Sequence, residues 1–379
     1  MRVLVSTTAG AGHFGPLVPF AGALRRAGHD VVVAAPGSFA SAVERAGFAH
    51  HPFADAPPEE LQAVFGGLSD LSNDEGNAVV MREVFGRIDT RAALPGVEAV
   101  VDEWRPDLIL RESCEFASYL VAEAAGIPHV HVAIGLASFG ELAAGVLEDP
   151  LTEFGADAGL VSLRSAPTLT LVPESLEGTP TPPGGAGRYR DDTANEGTGP
   201  LPAWWGDSSD PLVYVTFGSV AGGLGLFPSF YRDVIAALAE VPVRVLLTTG
   251  DAGDPNDLGI LPANVHVERW WPQKAVMPDA AAMVGHGGFG TTLLGLASGL
   301  PMVVVPLFAD QPYNARRVAA VGAGIVLEGG PAAVTSLAGA VQRLLADACY
   351  RAAARRIAEE ISQLRPVSAS VAFLEQVAG

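Results

Sequence analysis

A histidine in a glycine-rich turn is the first residue of the chain whose type and position suit chemistry. His13 lies in the segment GAGHFGP, between the apolar run Arg2–Ser6 and an apolar-periodic stretch from Pro16 to Ala27. A neutral imidazole at such a strand-to-helix turn can accept the proton of a hydroxyl group near pH 7. The segment predicts a general base, with a solvated or helix-capping histidine as the alternative.

A carboxylate that can orient His13 follows another apolar run. Glu112 comes just beyond DLIL, in a strand predicted from Pro106 to Leu110, so its side chain can reach the same sheet edge. A carboxylate beside a catalytic imidazole fixes the tautomer and stabilises the protonated form. Glu115 is the competing candidate for this role, and Glu112 can also be a surface carboxylate or a helix cap.

A second set of candidates surrounds a histidine–glycine turn in the C-terminal half. His286, Gly287 and Gly288 end an apolar strand, and Gly290 and Thr291 open a helix. Bare backbone N–H groups and the helix dipole favour a bound diphosphate at such a turn. His286 can donate a hydrogen bond to one of its phosphoryl oxygens.

Further polar and aromatic side chains follow other predicted strands of this half. Ser219, in the glycine-flanked loop after VYVTF, can hold the distal phosphate. Trp270 can stack on a pyrimidine, although core packing is the alternative for both Trp270 and Trp271. Asp310 and Gln311 come directly after an apolar strand and can hydrogen bond to sugar hydroxyls.

These residues need elements that bring them to sheet edges, and apolar patterning predicts two α/β sets. The predicted strands are Arg2–Ser6, Asp30–Ala35, Pro106–Leu110 and His129–Ile134 in one half, and Leu212–Phe217, Val243–Thr248, Ala281–Val284 and Met302–Val305 in the other. Between the halves, the stretch from about Glu177 to Asp210 is rich in proline, glycine and polar residues, which is typical of a linker.

The predicted fold class is α/β, with two Rossmann-like, doubly wound domains that face a ligand cleft, and a C-terminal helical segment. We expect a first domain at 1–190, a linker at 191–210 and a second domain at 211–365. The last residues, 366–379, are expected to form a helix that packs back on the first domain.

Composition limits the classes of partner. The chain has 379 residues, 49% of them hydrophobic, and a formal net charge of −19, so its surface repels phosphate backbones and anionic membranes. No apolar run approaches about 20 residues, and the N-terminus is predicted to be a strand rather than a signal peptide, so we expect a cytoplasmic protein. Cys114 and Cys349 have no disulfide or zinc-site spacing, and we expect reduced thiols.

A second glycine pattern suggests a different ligand. Residues 10–15 match GxGxxG after the first strand, a pattern found in NAD and FAD sites. Such a site needs a carboxylate at the end of the next strand to hold the ribose. Residues 34–36 are AAP at that position, so the sequence does not favour dinucleotide binding.

Two longer segments carry a family resemblance. GHFGPLVPFAGALRRAGHDV and WWPQ…HGGFGTTLLGLASGLPMVVVPLFADQPYNARRV resemble the bacterial, actinomycete-type branch of the family 1 GT-B glycosyltransferases, which attach TDP-deoxysugars to natural products such as polyketides and macrolides. The resemblance spans nearly the whole chain, and its C-terminal motif is the more specific one. It implies an inverting, metal-independent transfer that uses a nucleotide sugar as co-substrate and no cofactor.

The resemblance assigns roles only to matched positions. His13 matches the acceptor base, and Glu112 stands where many members have aspartate, so the carboxylate is kept but its side chain is longer. The other matches are Trp270 and Gln273 on the nucleobase and ribose side, Ser219, His286, Gly290 and Thr291 at the diphosphate, and Asp310 and Gln311 at the sugar.

One position bears on the donor nucleotide. Members that use UDP-sugars have a glutamate eight residues after the motif histidine, where this chain has Leu294. Leucine cannot accept a hydrogen bond from a ribose hydroxyl, so the resemblance implies a TDP-sugar. The alternative is that Gln273 meets the ribose and position 294 is irrelevant.

The acceptor site and the rival functions depend on less specific features. Residues 53–90 and 134–156 are expected to shape an apolar acceptor pocket, through Phe65, Phe85, Phe139, Leu142 and Phe154. The sequence leaves open the identity of acceptor and sugar, the choice between O- and C-glycosylation, and whether the chain forms a homodimer.

Two other functions remain as alternatives to a glycosyltransferase of this kind. One is a nucleotide-sugar-binding protein without turnover, which needs no base–carboxylate pair. The other is another GT-B enzyme such as a sugar-nucleotide epimerase.

Overall fold

The computed structural model describes residues 1–138, 145–178, 186–193, 201–250 and 253–379, which form two α/β units. Unit 1 comprises residues 1–172 and 364–379 with the described residues of 179–193, and unit 2 comprises residues 173–178 with the described residues of 194–363. No helix in these ranges combines the length and the apolar character needed to cross a lipid bilayer.

Unit 1 is built on a parallel sheet of eight strands. Numbered along the chain, they are β1 Arg2–Ser6, β2 Asp30–Pro36, β3 Ala49–Phe53, β4 Leu108–Glu112, β5 His129–Val132, β6 Thr168–Thr170, β7 Ala186–Arg190 and β14 Arg365–Pro366. Their order across the sheet is β14-β7-β6-β5-β4-β1-β2-β3. The strands from β3 to β6 follow the doubly wound order, which reverses between β1 and β4.

Helices cover both faces of this sheet. The α-helices are Ala11–Phe14, Leu17–Arg26, Ala40–Arg45, Pro58–Gly66, Asn73–Val79, Thr90–Trp104, Ala117–Ala125, Glu148–Thr152, Val161–Ser165 and Ser370–Ala378, with a π-helix at Val80–Asp89 and 3₁₀ turns at Gly37–Phe39, Ala158–Leu160 and Val367–Ala369. Val3 and Val5 of β1 pack with helix Leu17–Arg26, whereas Leu4 packs with helix Thr90–Trp104. Burial of both faces explains why β1 is a continuous apolar run.

Unit 2 repeats this plan with six parallel strands. They are β8 Leu212–Thr216, β9 Arg244–Thr248, β10 Val265–Glu268, β11 Ala280–Gly285, β12 Met302–Val304 and β13 Gly324–Val326, in the order β10-β9-β8-β11-β12-β13. The α-helices are Glu174–Glu177, Ser229–Leu238, Gln273–Val276, Phe289–Ala297, Gln311–Ala320, Leu337–Ala346 and Ala348–Gln363, with 3₁₀ turns at Ala221–Leu224, Pro255–Leu258, Met277–Asp279 and Gly330–Ser336. The strand order again reverses between two neighbours, here β8 and β11.

The structure differs from the sequence-based prediction in the linker-like stretch from about Glu177 to Asp210 and near the C-terminus. Ala186–Arg190 is strand β7, and the predicted break near Pro366 is strand β14, which pairs with it at Arg365 and Tyr189. Tyr189 is buried against Phe20, with ring centroids 5.8 Å apart. One large apolar residue in AGRYR gives no alternation from which a strand can be predicted, so only the tertiary contact reveals it.

One segment near the unit boundary also differs from the predicted organisation. Residues 173–178, inside the range predicted for the first domain, belong to unit 2. Arg317 holds them there, because its guanidinium donates to the carbonyl oxygens of Leu176 and Ser175 at 2.9 and 3.1 Å. At the other end of the chain, Val367 and Leu374 are buried in the core of unit 1.

The two reversals of strand order mark the places where ligands are expected. In open α/β sheets, ligands bind beyond the carboxyl ends of the strands at the point where the order reverses. The chain leaves β1 toward His13, and β4 ends at Glu112, so both face the reversal in unit 1. In unit 2, Ser219 follows β8 and His286 follows β11.

Candidate active site

A short helix presents His13 at the edge of the unit 1 sheet. The chain turns at Gly10 with φ of 140°, a left-handed conformation that favours glycine, and enters helix Ala11–Phe14. Phe14 is buried in the core, whereas the His13 side chain keeps 23% of its surface exposed. The buried phenyl ring anchors the helix and leaves the imidazole accessible to a ligand.

Glu112 meets His13 from the end of the neighbouring strand. The prediction that β4 stops at Leu110 is wrong, because the strand continues to Glu112 itself. His13 Nδ1 lies 3.1 Å from Glu112 Oε1, which also accepts from the hydroxyl and the backbone N–H of Thr8 at 3.0 and 3.3 Å. The backbone N–H of Cys114 donates to Oε2 at 2.6 Å. The structure thus brings the two predicted side chains together and fixes the carboxylate through both oxygens.

These contacts set the charge of the pair. Complete burial of Glu112 opposes its ionisation, but the positive charge of His13, its hydrogen bond and the N–H groups of Cys114 and Thr8 outweigh that effect and hold the Glu112 pKa below its ordinary value. An ionised carboxylate only accepts hydrogen bonds, so His13 Nδ1 must be the donor. In the neutral form of the ring the lone pair is then on Nε2, the atom that takes a proton when the imidazolium forms.

Glu115, the competing orienter, has a different role. Its carboxylate accepts from the backbone N–H of Ser118 at 3.1 and 3.3 Å and from the Ser118 hydroxyl, at the start of helix Ala117–Ala125. Burial raises the Glu115 pKa. Glu115 therefore caps a helix, and the carboxylate bonded to His13 is Glu112.

A cavity of about 330 Å³ lies beside His13 within unit 1. Phe65 and Phe85, two of the residues predicted to shape an acceptor pocket, lie on its wall, and the Phe85 and His13 ring centroids are 5.4 Å apart. Phe154 is not on the described wall. Phe139 and Leu142 lie outside the described residues. The described wall is mainly apolar, which suits a largely apolar ligand.

Three polar groups of this site were not predicted from the sequence. Thr8 and the Cys114 N–H bind Glu112, and Asp89 lines the cavity at the end of the π-helix Val80–Asp89. A π-helix disrupts the 3.6-residue periodicity on which pattern analysis depends, so the direction of Asp89 was not predictable. Thr8 could have been predicted from the sequence, because it follows β1 in the same turn as His13.

In unit 2, His286 is enclosed by two glycines. A Cβ added at Gly218 or Gly288 would lie 2.8 or 2.3 Å from His286 Nε2. Burial lowers the His286 pKa to about 4, although a hydrogen bond with the backbone of Thr216 opposes the shift. Its Nδ1 is buried and has no hydrogen-bond partner in the described structure. The imidazole is therefore neutral at pH 7, with one N–H and one lone pair on its ring nitrogens.

The helix that follows has an open N-terminus. Helix Phe289–Ala297 begins after Gly288, which supplies no side-chain cap, and its first internal bond runs from Thr292 N–H to Gly288 C=O at 3.0 Å. The N–H groups of Phe289, Gly290 and Thr291 precede that bond and have no acceptor within the helix. Such a terminus favours an anion, and a diphosphate would satisfy these donors.

The predicted sugar-binding pair is held against this turn. Gln311 is buried, and its Oε1 accepts from the N–H groups of Leu307 and Phe308 at 2.9 and 3.1 Å, so only its NH₂ group remains for a sugar. Asn314, not predicted from the sequence, donates to Gly287 C=O at 2.9 Å and to Asp310 Oδ2 at 2.8 Å. Its position four residues after Asp310 on a helix was a usable signal.

Gly287 is required in the turn after β11, where the backbone packs closely against Val304 and Gln311. Its φ is 87°, and an added Cβ would lie 2.9 Å from Val304 Cγ1 and 3.0 Å from the Gln311 carbonyl oxygen. The HGG motif thus combines a left-handed backbone with close packing, both of which only glycine allows.

The remaining donor-site candidates lie around the same sheet edge. Trp270 is 67% exposed, whereas Trp271 packs edge-on against Trp204 with ring centroids 4.9 Å apart, so core packing applies to Trp271. Gln273 Nε2 donates to Thr291 Oγ1 at 3.4 Å. Ser219 is exposed, and Leu294 is half-buried.

One group of side chains in the described ranges has the composition of a metal site. Potential ligand atoms of His13, Glu112 and Cys114 lie within 4.8 Å of one another. Both Glu112 oxygens already accept hydrogen bonds, one of them from His13 Nδ1. This set of bonds fits a proton-holding pair better than a metal centre.

Comparisons with known proteins show the family to which the chain belongs. Models of the erythromycin biosynthesis protein CIII-like N-terminal and C-terminal domains match residues 22–149 and 232–374. The chain is 34% identical to the L-demethylnoviosyl transferase of Streptomyces niveus, over 98% of this chain and 97% of that protein. It is also 34% identical to the elloramycin glycosyltransferase ElmGT of Streptomyces olivaceus, over 98% and 96% of the two chains.

Solved structures extend the similarity to the fold. The glycosyltransferase SsfS6 of Streptomyces sp. SF2575 is 27% identical, with a TM-score of 0.75 over 99% of this chain and 100% of that one. Its complex with thymidine diphosphate gives 26% identity and a TM-score of 0.77, over 99% of both chains. The predicted GT-B fold class is confirmed.

Proposed function

Because the chain belongs to the erythromycin biosynthesis protein CIII-like family of glycosyltransferases, we propose that it moves a deoxysugar from a TDP-sugar onto a small, apolar natural product such as a polyketide, with inversion. One observation carries the catalytic part of this proposal. His13, on the wall of an apolar cavity, donates its Nδ1 proton to the buried, ionised Glu112.

The proposed reaction is a single displacement at the anomeric carbon. His13 Nε2 takes the proton of the acceptor hydroxyl as its oxygen attacks the face opposite the diphosphate. The bond from the anomeric carbon to the diphosphate oxygen breaks, and TDP leaves with the electron pair, so the configuration inverts. Glu112 stabilises the imidazolium that forms.

The leaving diphosphate needs stabilisation of its growing charge. The open N-terminus of helix Phe289–Ala297 supplies oriented N–H groups, and the buried, neutral His286 beside Gly288 has a single N–H to donate. Such preorganised donors are worth most when they point to where charge develops. In this proposal Asp310 and the NH₂ group of Gln311 bind the sugar hydroxyls.

An acceptor screen tests the proposal directly. The chain is incubated with several TDP-sugars and a set of aromatic polyketides, and products are identified by mass spectrometry. We expect a mass increase of one sugar and the release of TDP only with a suitable acceptor. TDP-sugar that binds but never turns over would favour a pure binding protein, and acceptor-free release of UDP from a UDP-N-acetylhexosamine would favour an epimerase.

The donor should be TDP-linked in preference to UDP-linked. Half-buried Leu294 cannot accept from a ribose 2′-hydroxyl, and leaving that hydroxyl without a partner costs about 1–3 kcal/mol. We expect kcat/KM to favour the TDP form of the same sugar by about 10–100-fold.

Two variants at this position sharpen the comparison. Leu294→Glu should reduce the ratio of the kcat/KM values for TDP- and UDP-linked donors. Leu294→Met, which stays apolar, should keep that ratio. Equal kcat/KM values for TDP- and UDP-linked donors in the natural protein would contradict the role of position 294.

Turnover should survive removal of metal ions. The diphosphate in this proposal is held by a helix terminus and His286, and no Asp-x-Asp motif occurs in the chain. Initial rates measured after dialysis against EDTA should equal those with added Mg²⁺ or Mn²⁺. A strict requirement for either ion would show that this account of the leaving group is wrong.

A further inference from the structure

A carboxylate in the acceptor cavity is not used by the proposed mechanism. Asp89 is the last residue of the π-helix Val80–Asp89 and lines the cavity together with His13 and Phe85. Burial raises its pKa to about 6; the nearby His13 opposes this shift, whereas Glu112 and Glu115 increase it. At pH 7 the group is therefore mostly ionised, although its surroundings disfavour the charge.

The protein supplies no hydrogen bond to this carboxylate in the part of the chain that the structure describes. Asp89 does not cap the helix Thr90–Trp104 that follows it. The neighbouring hydroxyl of Thr90 donates to the carbonyl oxygen of Phe85 at 2.7 Å instead. Asp89 is half-buried on the cavity wall, so a ligand that enters the cavity can supply the hydrogen bond that the described protein residues do not.

The chemistry of that partner follows from the charge. An ionised carboxylate can only accept hydrogen bonds, so the ligand must donate one. The hydroxyl that is glycosylated gives its proton to His13, so a different group has to serve Asp89. We propose that Asp89 determines acceptor specificity by accepting a hydrogen bond from a second hydroxyl of the acceptor, one that is not glycosylated. The inference rests on the proposed function in taking this cavity as the acceptor site.

Binding of matched naphthalenes tests this inference. The dissociation constants of 2,3-, 1,6- and 2,7-dihydroxynaphthalene, their monomethyl ethers and the two naphthols are measured by fluorescence titration. We expect at least one dihydroxy isomer to bind about tenfold more tightly than both its ether and the corresponding naphthol. The naphthol controls for the size of the methyl group, because it lacks the second hydroxyl without adding bulk.

Variants assign the preference to one side chain. Asp89→Leu should reduce the advantage of the second hydroxyl to less than about twofold, and Asp89→Asn should keep part of it, because an amide oxygen still accepts. Glu98→Gln removes an exposed carboxylate from the neighbouring helix and should keep the full advantage. An equal affinity for all members of each set, or an advantage that survives in Asp89→Leu, would overturn the proposal.

The test of Asp89 by binding and the test of the proposed function by sugar transfer can succeed or fail independently. The preference is measured by binding, so it should persist in His13→Ala, which lacks the base. A preference that depends on Asp89, found in a chain that transfers no sugar from any TDP-sugar, would refute the transferase proposal and leave this one standing.

Stability provides a second readout. The folded Asp89 carboxyl holds its proton more tightly than the unfolded one, so its contribution to stability falls as pH rises from about 4 to about 6 and stays low above that range. Asp89→Leu should therefore have a higher Tm than the natural protein at about pH 7.5, and the gap should narrow toward about pH 4.5. A lower Tm at about pH 7.5 would show that Asp89 has a structural partner and would contradict the proposal.

Discussion

Replacing His13 with alanine is expected to lower kcat by about 10²–10⁴-fold, because the variant loses the group that takes the acceptor proton. The affinity for TDP should change little, since the residues proposed to bind the diphosphate are His286 and the N–H groups beginning at Phe289. Rates of TDP release with a hydroxyl acceptor and calorimetric titration with TDP measure the two quantities separately.

Two further variants are compared with His13→Ala. His51→Ala removes a histidine of β3 that has no role in the proposed reaction, and it should keep nearly full activity. Glu112→Gln keeps the shape of the side chain but removes the charge that stabilises the imidazolium, so it should lose activity, though less than His13→Ala. A kcat close to that of the natural protein in His13→Ala would contradict the assignment of the base.

Replacing Gly288 with alanine should reduce kcat/KM for the donor by about 100-fold or more. The added Cβ would lie 2.3 Å from His286 Nε2, so the imidazole or the start of helix Phe289–Ala297 must move. Because both are proposed to bind the diphosphate, the affinity for TDP should fall with the activity. Calorimetric titration with TDP measures that affinity.

Gly339 offers a matched control outside this turn. It lies in helix Leu337–Ala346, where an alanine Cβ has no heavy atom within 4 Å, and alanine has a higher helix propensity than glycine. Gly339→Ala should therefore keep the activity and gain slightly in Tm. If Gly288→Ala binds TDP as tightly as Gly339→Ala does, the enclosure of His286 is not required for donor binding.

The local patterns of the chain predicted much of the framework. Apolar runs bounded by glycine and polar residues predicted β1 at its observed ends, and β2, β9 and β11 to within one or two residues. These are buried parallel strands, in which burial of both faces requires a continuous apolar run. The glycines of the HGG motif were informative for a similar reason, because Gly287 needs a left-handed backbone and Gly288 needs room for His286.

Other features depended on contacts between distant residues. The sequence favoured Glu112 and left Glu115 as a competitor, and what separates them is a hydrogen bond between residues 99 positions apart and the helix start that Glu115 caps. Strand β7 exists because β14, from the far end of the chain, pairs with it.

The sequence by itself therefore predicted the fold class, the base candidate His13 and the turn at His286 that is proposed to bind phosphate, since each depends on residues that are neighbours in the chain. The tertiary structure decided which carboxylate orients the base, and it showed the unpaired carboxylate of Asp89 in the cavity. It also showed that the carbonyl oxygen of Gln311 is already used by the backbone. Hydrogen bonding and burial decide these matters, and both depend on which distant segments pack together.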